Sequence, residues 1–412
     1  MGKKSTLANI FYNSFGTIFY YGCQWLTTLL VVRISGFEDG GNYSLAMTFT
    51  AAFAIMALFN TRQYQVSDVV GEYSDRTYIR SRFTAMAISF AVCFAGLFFN
   101  AYTPYQWGVI LLYMLFKCGE AWIDVYHGID QKNGRMDYIC YSYIFRGFFM
   151  IAGFCGVLYL TKNLVLAIGS MTLLTFLTAF FYDRRTAERF IAKDGAANRA
   201  DVKKLMFAML PLVLVAVTNN LSISFPKYFL ERFYDETVLG YYSSVATPSM
   251  IVQVGASTIF IPLITPLADR LKENDKKGFL DILKKVALVF AGLSVLALIV
   301  SALFGEWFLV LLFQEEIRPY TYLFVPIIIS TLLISVNAAL LPVCTVLREI
   351  KGQLAVGIGG IVSSVAASAV LIRRYCMDGV VVSLLITLAI QIIIEIYCVY
   401  RKMSKWKETE HG

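Results

Sequence analysis

The segment YMLFKCGEAWIDVYHG, residues 113–128, is apolar enough to enter a membrane yet carries Lys117, Glu120 and Asp124. Their offsets of three and seven residues place all three on one narrow stripe of an α-helix. An ionised side chain at the bilayer centre costs about 2.5 to 3.5 kcal/mol, so such a stripe must face a bundle interior or a wet cavity. At about 1.5 Å per residue, Lys117 and Arg146 both lie roughly 14 Å from the cytoplasmic ends of neighbouring helices joined by a short loop. Two cations at one depth suit a diphosphate, Arg146 offering planar paired donors and Lys117 a mobile point charge. If Glu120 or Asp124 takes up a proton during a transport cycle, positive charge is uncovered for an anionic headgroup. The alternative is structural: two cations and two carboxylates can neutralise one another as an interior ion-pair network. Arg33 adds a cation near the outer exit, or reaches outward to lipid headgroups.

The elements that hold these residues follow from composition. Apolar residues make up 58% of the 412, charged residues 16%, and mean hydropathy is +0.63, well outside the balance of a soluble domain. Runs of roughly 20 mostly apolar residues, each able to cross a core about 30 Å thick, recur along the chain. The expected fold is an all-α polytopic membrane protein of about twelve spans, near 9–33, 42–61, 82–100, 105–126, 138–160, 164–182, 205–226, 238–263, 280–304, 320–346, 353–372 and 379–400. The first span is long and followed by others, so it reads as a signal-anchor and not a cleaved leader.

The polar connections alternate in charge. With the N-terminus placed in the cytoplasm, the inner segments hold 27 of the 36 Lys and Arg and the outer loops hold 6. This bias predicts both termini inside and accounts for most of the net charge of +8 without a nucleic-acid partner. Membrane lipids are the expected surroundings.

The longest inner connection, residues 183–204, divides the chain into an N-terminal six-helix lobe (1–182) and a C-terminal six-helix lobe with a cytoplasmic tail (205–412). Each lobe opens its second span alike, with Gly41-Asn42-Tyr43-Ser44 in the first and Gly240-Tyr241-Tyr242-Ser243 in the second. Because six is even, both units start from the cytoplasm, which predicts parallel repeats about an axis along the membrane normal. Charges at membrane depth gather in the first lobe. Prolines gather in the second, where Pro211, Pro248 and Pro326 are candidate hinges and Pro226, Pro262, Pro266 and Pro342 also fall in or at the ends of spans. Asn219, Asn220, Gln253 and Asn337 are uncharged polar groups at span depth, available to sugar hydroxyls or to interhelical hydrogen bonds. Glu395 is a further carboxylate in the last span.

Several function classes lack their residues. The histidines are His127 and His411, seven of the eight cysteines fall inside predicted spans, and neither metal-ligand spacing nor a P-loop occurs. No cofactor or metal is expected, and the chain does not read as an enzyme.

Particular segments resemble a known family. Arg62-Gln63-Tyr64-Gln65-Val66-Ser67-Asp68, then Gly71-Glu72-Tyr73-Ser74-Asp75 and Arg82, are similar to the first cytoplasmic loop of bacterial polysaccharide-repeat flippases. The two span openings and Ile261-Pro262-Leu263 leading to Pro266-Leu267-Ala268 resemble the same proteins, members of the multidrug/oligosaccharidyl-lipid/polysaccharide exporter superfamily. The resemblance implies two six-helix lobes around a cavity, lined with cations in the N-terminal lobe, and flipping of undecaprenyl-diphosphate-linked oligosaccharide for O-antigen, capsule or exopolysaccharide. It also implies work beside a polysaccharide polymerase and glycosyltransferases. Arg146, Lys117 and Arg33 are then the diphosphate site, and Glu120 and Asp124 the proton- or ion-coupling groups. This chain has few such cations and balances them with two acids. A cation-coupled multidrug exporter and a non-transporting scaffold of a glycan-assembly complex are the alternative readings.

Overall fold

The computed structural model describes residues 6–68, 71–191, 198–253, 267, 270–347 and 349–406, and every regular element among them is helical. Helix α1 (Thr6–Leu58) holds the first two predicted spans in one continuous rod broken at Gly36, where φ is 89°. A residue without a Cβ takes that conformation at little cost, so the glycine separates one crossing from the next. Phe59 and Asn60, both at positive φ, then turn the chain into the short α2 (Thr61–Ser67).

Short polar side chains start the next helices. The Ser74 hydroxyl accepts from the Thr77 amide ahead of α3 (Asp75–Leu97). Thr103 and Gln106 form a reciprocal capping box, with Pro104 at the start of α4 (Pro104–Lys132), where its missing N–H costs nothing. Helix α5 (Met136–Phe149) passes into a π-helical turn, Met150–Cys155, and on into α6 (Gly156–Thr161). Asn163 caps α7 (Leu164–Thr178), which runs through a second π-helical turn, Ala179–Asp183, into α8 (Arg184–Ala187). Such turns insert a residue into the helical ladder and re-aim the side chains around them.

The second half comprises α9 (Arg199–Phe233), α10 (Glu236–Ala246), α11 (Lys276–Phe313), a 3₁₀ turn (Glu315–Leu323), α12 (Phe324–Val346) and α13 (Ile350–Lys405). Helix α13 is interrupted at Cys376, φ 51°, and so contains the last two predicted spans. Among the described residues seven stretches, two of them these double-length rods, are long and apolar enough to cross a membrane. Helices α3 and α4 coincide with the third and fourth predicted spans and carry the charges described below. The eighth predicted span begins in α10 and runs into residues outside those described, as do Ile261-Pro262-Leu263 and Pro266.

By packing, the chain forms two compact units, Met1–Val217 and Thr218–Gly412. The sequence places the division at 183–204; the first unit reaches into α9 because Leu205, Met209 and Val213 are buried against Phe59, Tyr78, Ala85 and Val125. In the second unit Phe279, Val343, Leu347 and Met403 form a core cluster.

Of the proposed hinges, Pro248 lies where α10 ends and helix resumes at Ser249. Pro326 sits in the first turn of α12, where no backbone hydrogen bond is lost, and Pro211 lies within unbroken helix in α9.

Candidate functional site

In the first unit the charged stripe of α4 resolves into two ion-pair networks one turn apart. The Glu120 carboxylate is held from both sides: Lys117 Nζ donates to Oε2 at 2.7 Å and Arg146 Nη2 to Oε1 at 2.6 Å. Helix α1 completes the shell. The Tyr20 hydroxyl donates to Glu120 Oε1 and accepts from Arg146 Nη2 at 2.6 Å, and Gln24 Nε2 donates to the same carboxylate oxygen at 3.3 Å. The guanidinium of Arg146 lies 4.2 Å from the centre of the Tyr20 ring, which stacks on Tyr143 at 5.3 Å. Lys117 Nζ is 5.4 Å from the Tyr113 ring and 5.1 Å from that of Phe116. Two cations meeting one carboxylate leave a formal excess of one positive charge, faced by aromatic π-clouds.

Access differs between the partners. The Arg146 side chain is 4% exposed, whereas Lys117 and Glu120 are 22% and 17% exposed. Arg146 Nε has no hydrogen-bond partner among the described residues. The arrangement is an anchored guanidinium beside a more accessible ammonium, bridged by a carboxylate that an anionic ligand would have to displace.

Asp124, one turn further along, belongs elsewhere. Arg82 Nη2 reaches its Oδ2 at 2.6 Å and Arg62 Nη1 its Oδ1 at 3.3 Å. Arg62 also donates to Gln131 Oε1 from Nε and Nη2, at 3.0 and 2.8 Å. The fully buried Arg82 donates from Nη1 to the carbonyls of Ala57, at 3.3 Å, and Leu58 at the C-terminal end of α1. A cation there also meets the negative end of the helix dipole. Arg82 thus ties α3, α4 and the end of α1 together. Gly128 permits the close approach of α2 and α4, since a Cβ there would meet Gln65 Oε1 at 2.1 Å.

Arg33 is exposed, thirteen residues beyond Tyr20 on α1 and so about 20 Å further along that helix. In the second unit Gln391 of α13 joins two of the four polar residues marked in the sequence. It accepts from Asn337 Nδ2 at 3.2 Å and donates to Asn219 Oδ1 at 3.1 Å and Ser222 Oγ at 2.9 Å, all four residues buried. Asn220 accepts from Ser224 Oγ at 3.4 Å, and Gln253 is exposed. Glu395 is fully buried with neither carboxylate oxygen hydrogen-bonded among the described residues.

Tyr20, Gln24, Arg62, Arg82 and Gln391 are the site residues that pattern alone does not single out. Tyr20 and Gln24 were signalled weakly, as polar tips one turn apart in an apolar helix. Arg82 opens the third predicted span and counts by position as a loop cation.

The fold is that of multi-pass membrane transporters. A multidrug-resistance MATE transporter of the MOP superfamily in its inward-facing conformation aligns with a TM-score of 0.68 at 12% identity, over 98% of this chain and 99% of its own. The Vibrio cholerae MATE transporter VcmN aligns with a TM-score of 0.66 at 12% identity, over 97% and 95%. Capsular polysaccharide biosynthesis protein CapF of Staphylococcus aureus is 24% identical over 296 residues, 71% of this chain and 74% of CapF. The polysaccharide biosynthesis protein family matches residues 6–271. The chain belongs to that family, and its family and fold are those of transporters.

Proposed function

We propose that this protein moves undecaprenyl-diphosphate-linked oligosaccharide repeat units from the inner to the outer leaflet of the bacterial cytoplasmic membrane by alternating access. The product supplies surface polysaccharide of the capsule, O-antigen or exopolysaccharide type, as its family membership and the capsular relative suggest. The observation that carries the reading is the convergence of Lys117 and Arg146 on the two oxygens of Glu120. Phosphate oxygens compete for the same donors: Lys117 swings from Glu120 to the diphosphate, and Arg146, fixed by Tyr20, adds directional hydrogen bonds. Arg33 meets the headgroup near the outer end of the first span, and the Asn219–Gln391–Asn337 network shapes the second lobe against which the sugars move.

The fold is shared with multidrug transporters, so export of lipophilic cations is the second reading. Against it, Glu120 and Asp124 are each already held by two cationic side chains. The experiment is deletion of the gene in its host with complementation by wild type, Arg146→Ala and Glu120→Gln. Accumulation of undecaprenyl-linked oligosaccharide, relieved by wild type and not by Arg146→Ala, supports flipping. Normal lipid-linked pools with altered resistance to lipophilic cations would replace it with the exporter. Purified protein that moves a labelled lipid-linked sugar in liposomes would dismiss the scaffold reading.

A further inference from the structure

Below both ion-pair networks lies a third cluster, and it is built differently. His127 and Asp130 occupy one face of α4, three residues apart, and Asp183 ends the π-helical turn after α7. His127 Nε2 lies 3.1 Å from Asp183 Oδ1. The Thr186 hydroxyl, one turn on, reaches the Asp183 carbonyl at 2.9 Å and Asp130 Oδ2 at 3.4 Å, joining the two carboxylates' surroundings. All three titratable residues are 0–1% exposed, and Asp130 Oδ1 and Asp183 Oδ2 have no hydrogen-bond partner among the described residues. Ile129, Ala187, Tyr126 and Phe190 form an apolar cluster alongside.

The charged neighbours do not neutralise this pair. Arg62 and Arg146 act on His127, but each is committed to Asp124 or Glu120. Arg135 acts on Asp130, but its guanidinium is paired with Asp137 at 2.7 and 2.9 Å. Tyr143 packs its ring edge-on to His127 at 5.2 Å, and the Tyr182 hydroxyl donates to the Tyr138 carbonyl at 3.3 Å. Arg184 is occupied by Glu188 at 2.6 Å. Two neighbouring buried carboxylates with open oxygens cannot both stay ionised cheaply, because each raises the cost of charge on the other. One proton on the pair is the simplest species that removes that cost. Among the described residues no His, Cys, Asp and Glu group is arranged for a metal ion.

We propose that His127, Asp183 and Asp130 form a proton-binding site at the cytoplasmic end of the first lobe, taking up one proton on the carboxylate pair and releasing it. In the bound state the proton sits on Asp130, with His127 neutral and donating from Nε2 to Asp183. Release leaves Asp130 ionised beside Asp183 and loosens the π-helical turn from α4. The coupling groups expected at Glu120 and Asp124 are saturated by cations, whereas these oxygens are open.

The test is infrared pH titration of the purified full-length protein in lipid nanodiscs, following the carbonyl stretch of protonated carboxyl groups, which needs no substrate. Glu395 is a second buried carboxyl and Glu231 Oε2 is buried without a partner among the described residues, so Glu231→Gln with Glu395→Gln is the background. The expected result is a protonated-carboxyl band that titrates in the neutral range in both backgrounds and is lost in Asp130→Asn. His127→Gln should displace its midpoint by about one pH unit, a tenfold change in proton affinity. A band that persists unchanged in both Asp130→Asn and Asp183→Asn, or no band titrating in wild type, overturns the proposal. If Asp130→Asn fails to fold, loss of the band in Asp183→Asn or the shifted midpoint in His127→Gln carries the test, and a wild type without any titrating band overturns the proposal in every case.

Discussion

Glu120 and Asp124 lie one helical turn apart on α4, yet they belong to separate networks, the first bound to Lys117 and Arg146 and the second to Arg82 and Arg62. Each network holds two cations on one carboxylate. The stripe is therefore not a self-neutralising quartet. The pair drawn from α2 and α3 takes Asp124 out of reach, and a formal excess of one positive charge is left around Glu120, as the proposed function requires.

Arg146→Ala should abolish relief of the lipid-linked intermediate, and Arg146→Lys should restore little of it, because an ammonium cannot serve Glu120 and the Tyr20 hydroxyl in the guanidinium's planar geometry. Losing one partner of a buried pair costs about 3 to 5 kcal/mol when the other is left alone. Glu120 keeps Lys117 and Tyr20, so the fall in thermal stability in detergent should be smaller than that. Lys117→Ala should reduce transport while leaving stability nearly unchanged, since the ammonium is more exposed.

Arg82→Ala should behave in the opposite way, as a structural lesion. It removes the donors that tie the end of α1 to Asp124 and leaves two carbonyls unsatisfied, at about 1 to 3 kcal/mol for each buried group. Membrane levels and unfolding temperature should drop together. Adding Asp124→Asn should recover part of the loss; a double variant no better than Arg82→Ala would refute the pairing as the reason.

In the second unit, Gln391→Leu should cost about 1 to 2 kcal/mol, because interhelical hydrogen bonds in membranes average about 0.6 kcal/mol and three are lost here. Unfolding midpoints of Gln391→Leu and of Asn219→Ala with Asn337→Ala provide the check. Additive losses would show that the residues act independently and not as one network.

The loop after α2 should impose an acid limit. Asp68 accepts from the amides of Gly71 and Glu72, both at 2.8 Å, from the Tyr73 amide at 3.1 Å and from the Tyr78 hydroxyl at 2.9 Å. Partial desolvation pushes this carboxyl up, and the donors from Glu72, Tyr73, Tyr78 and Gly71 outweigh it, holding the group below the usual carboxylate range. Its stabilising contribution is therefore fully present above the unfolded value of about 3.9 and is lost as pH falls through the lower folded value. Asp68→Asn should lower the unfolding temperature at neutral pH, with the difference shrinking on acidification. A difference independent of pH would contradict this.

Much of the architecture was legible in the chain itself. Hydropathy repeats at bilayer length and the alternating Lys and Arg bias carry the spans because lipid and the insertion machinery read segments one at a time, by local composition. The stripe Lys117–Glu120–Asp124 and its meeting with Arg146 were legible for the same reason: helical spacing and depth along neighbouring helices are arithmetic on residue number. Other features depended on packing. Which cation takes which carboxylate is set by rotation about helix axes and by the crossings of α1, α3 and α5 over α4, to which a residue count is blind. Hence Arg82 becomes a buried tie instead of a loop cation, and Tyr20 becomes the bridge between Arg146 and Glu120. Gln391 reaches back to Asn337 and Asn219, which precede it by 54 and 172 residues. The open oxygens of Asp130 and Asp183 were likewise invisible, because a missing hydrogen bond is a property of every neighbour at once and can be recognised only when the tertiary structure has placed them all.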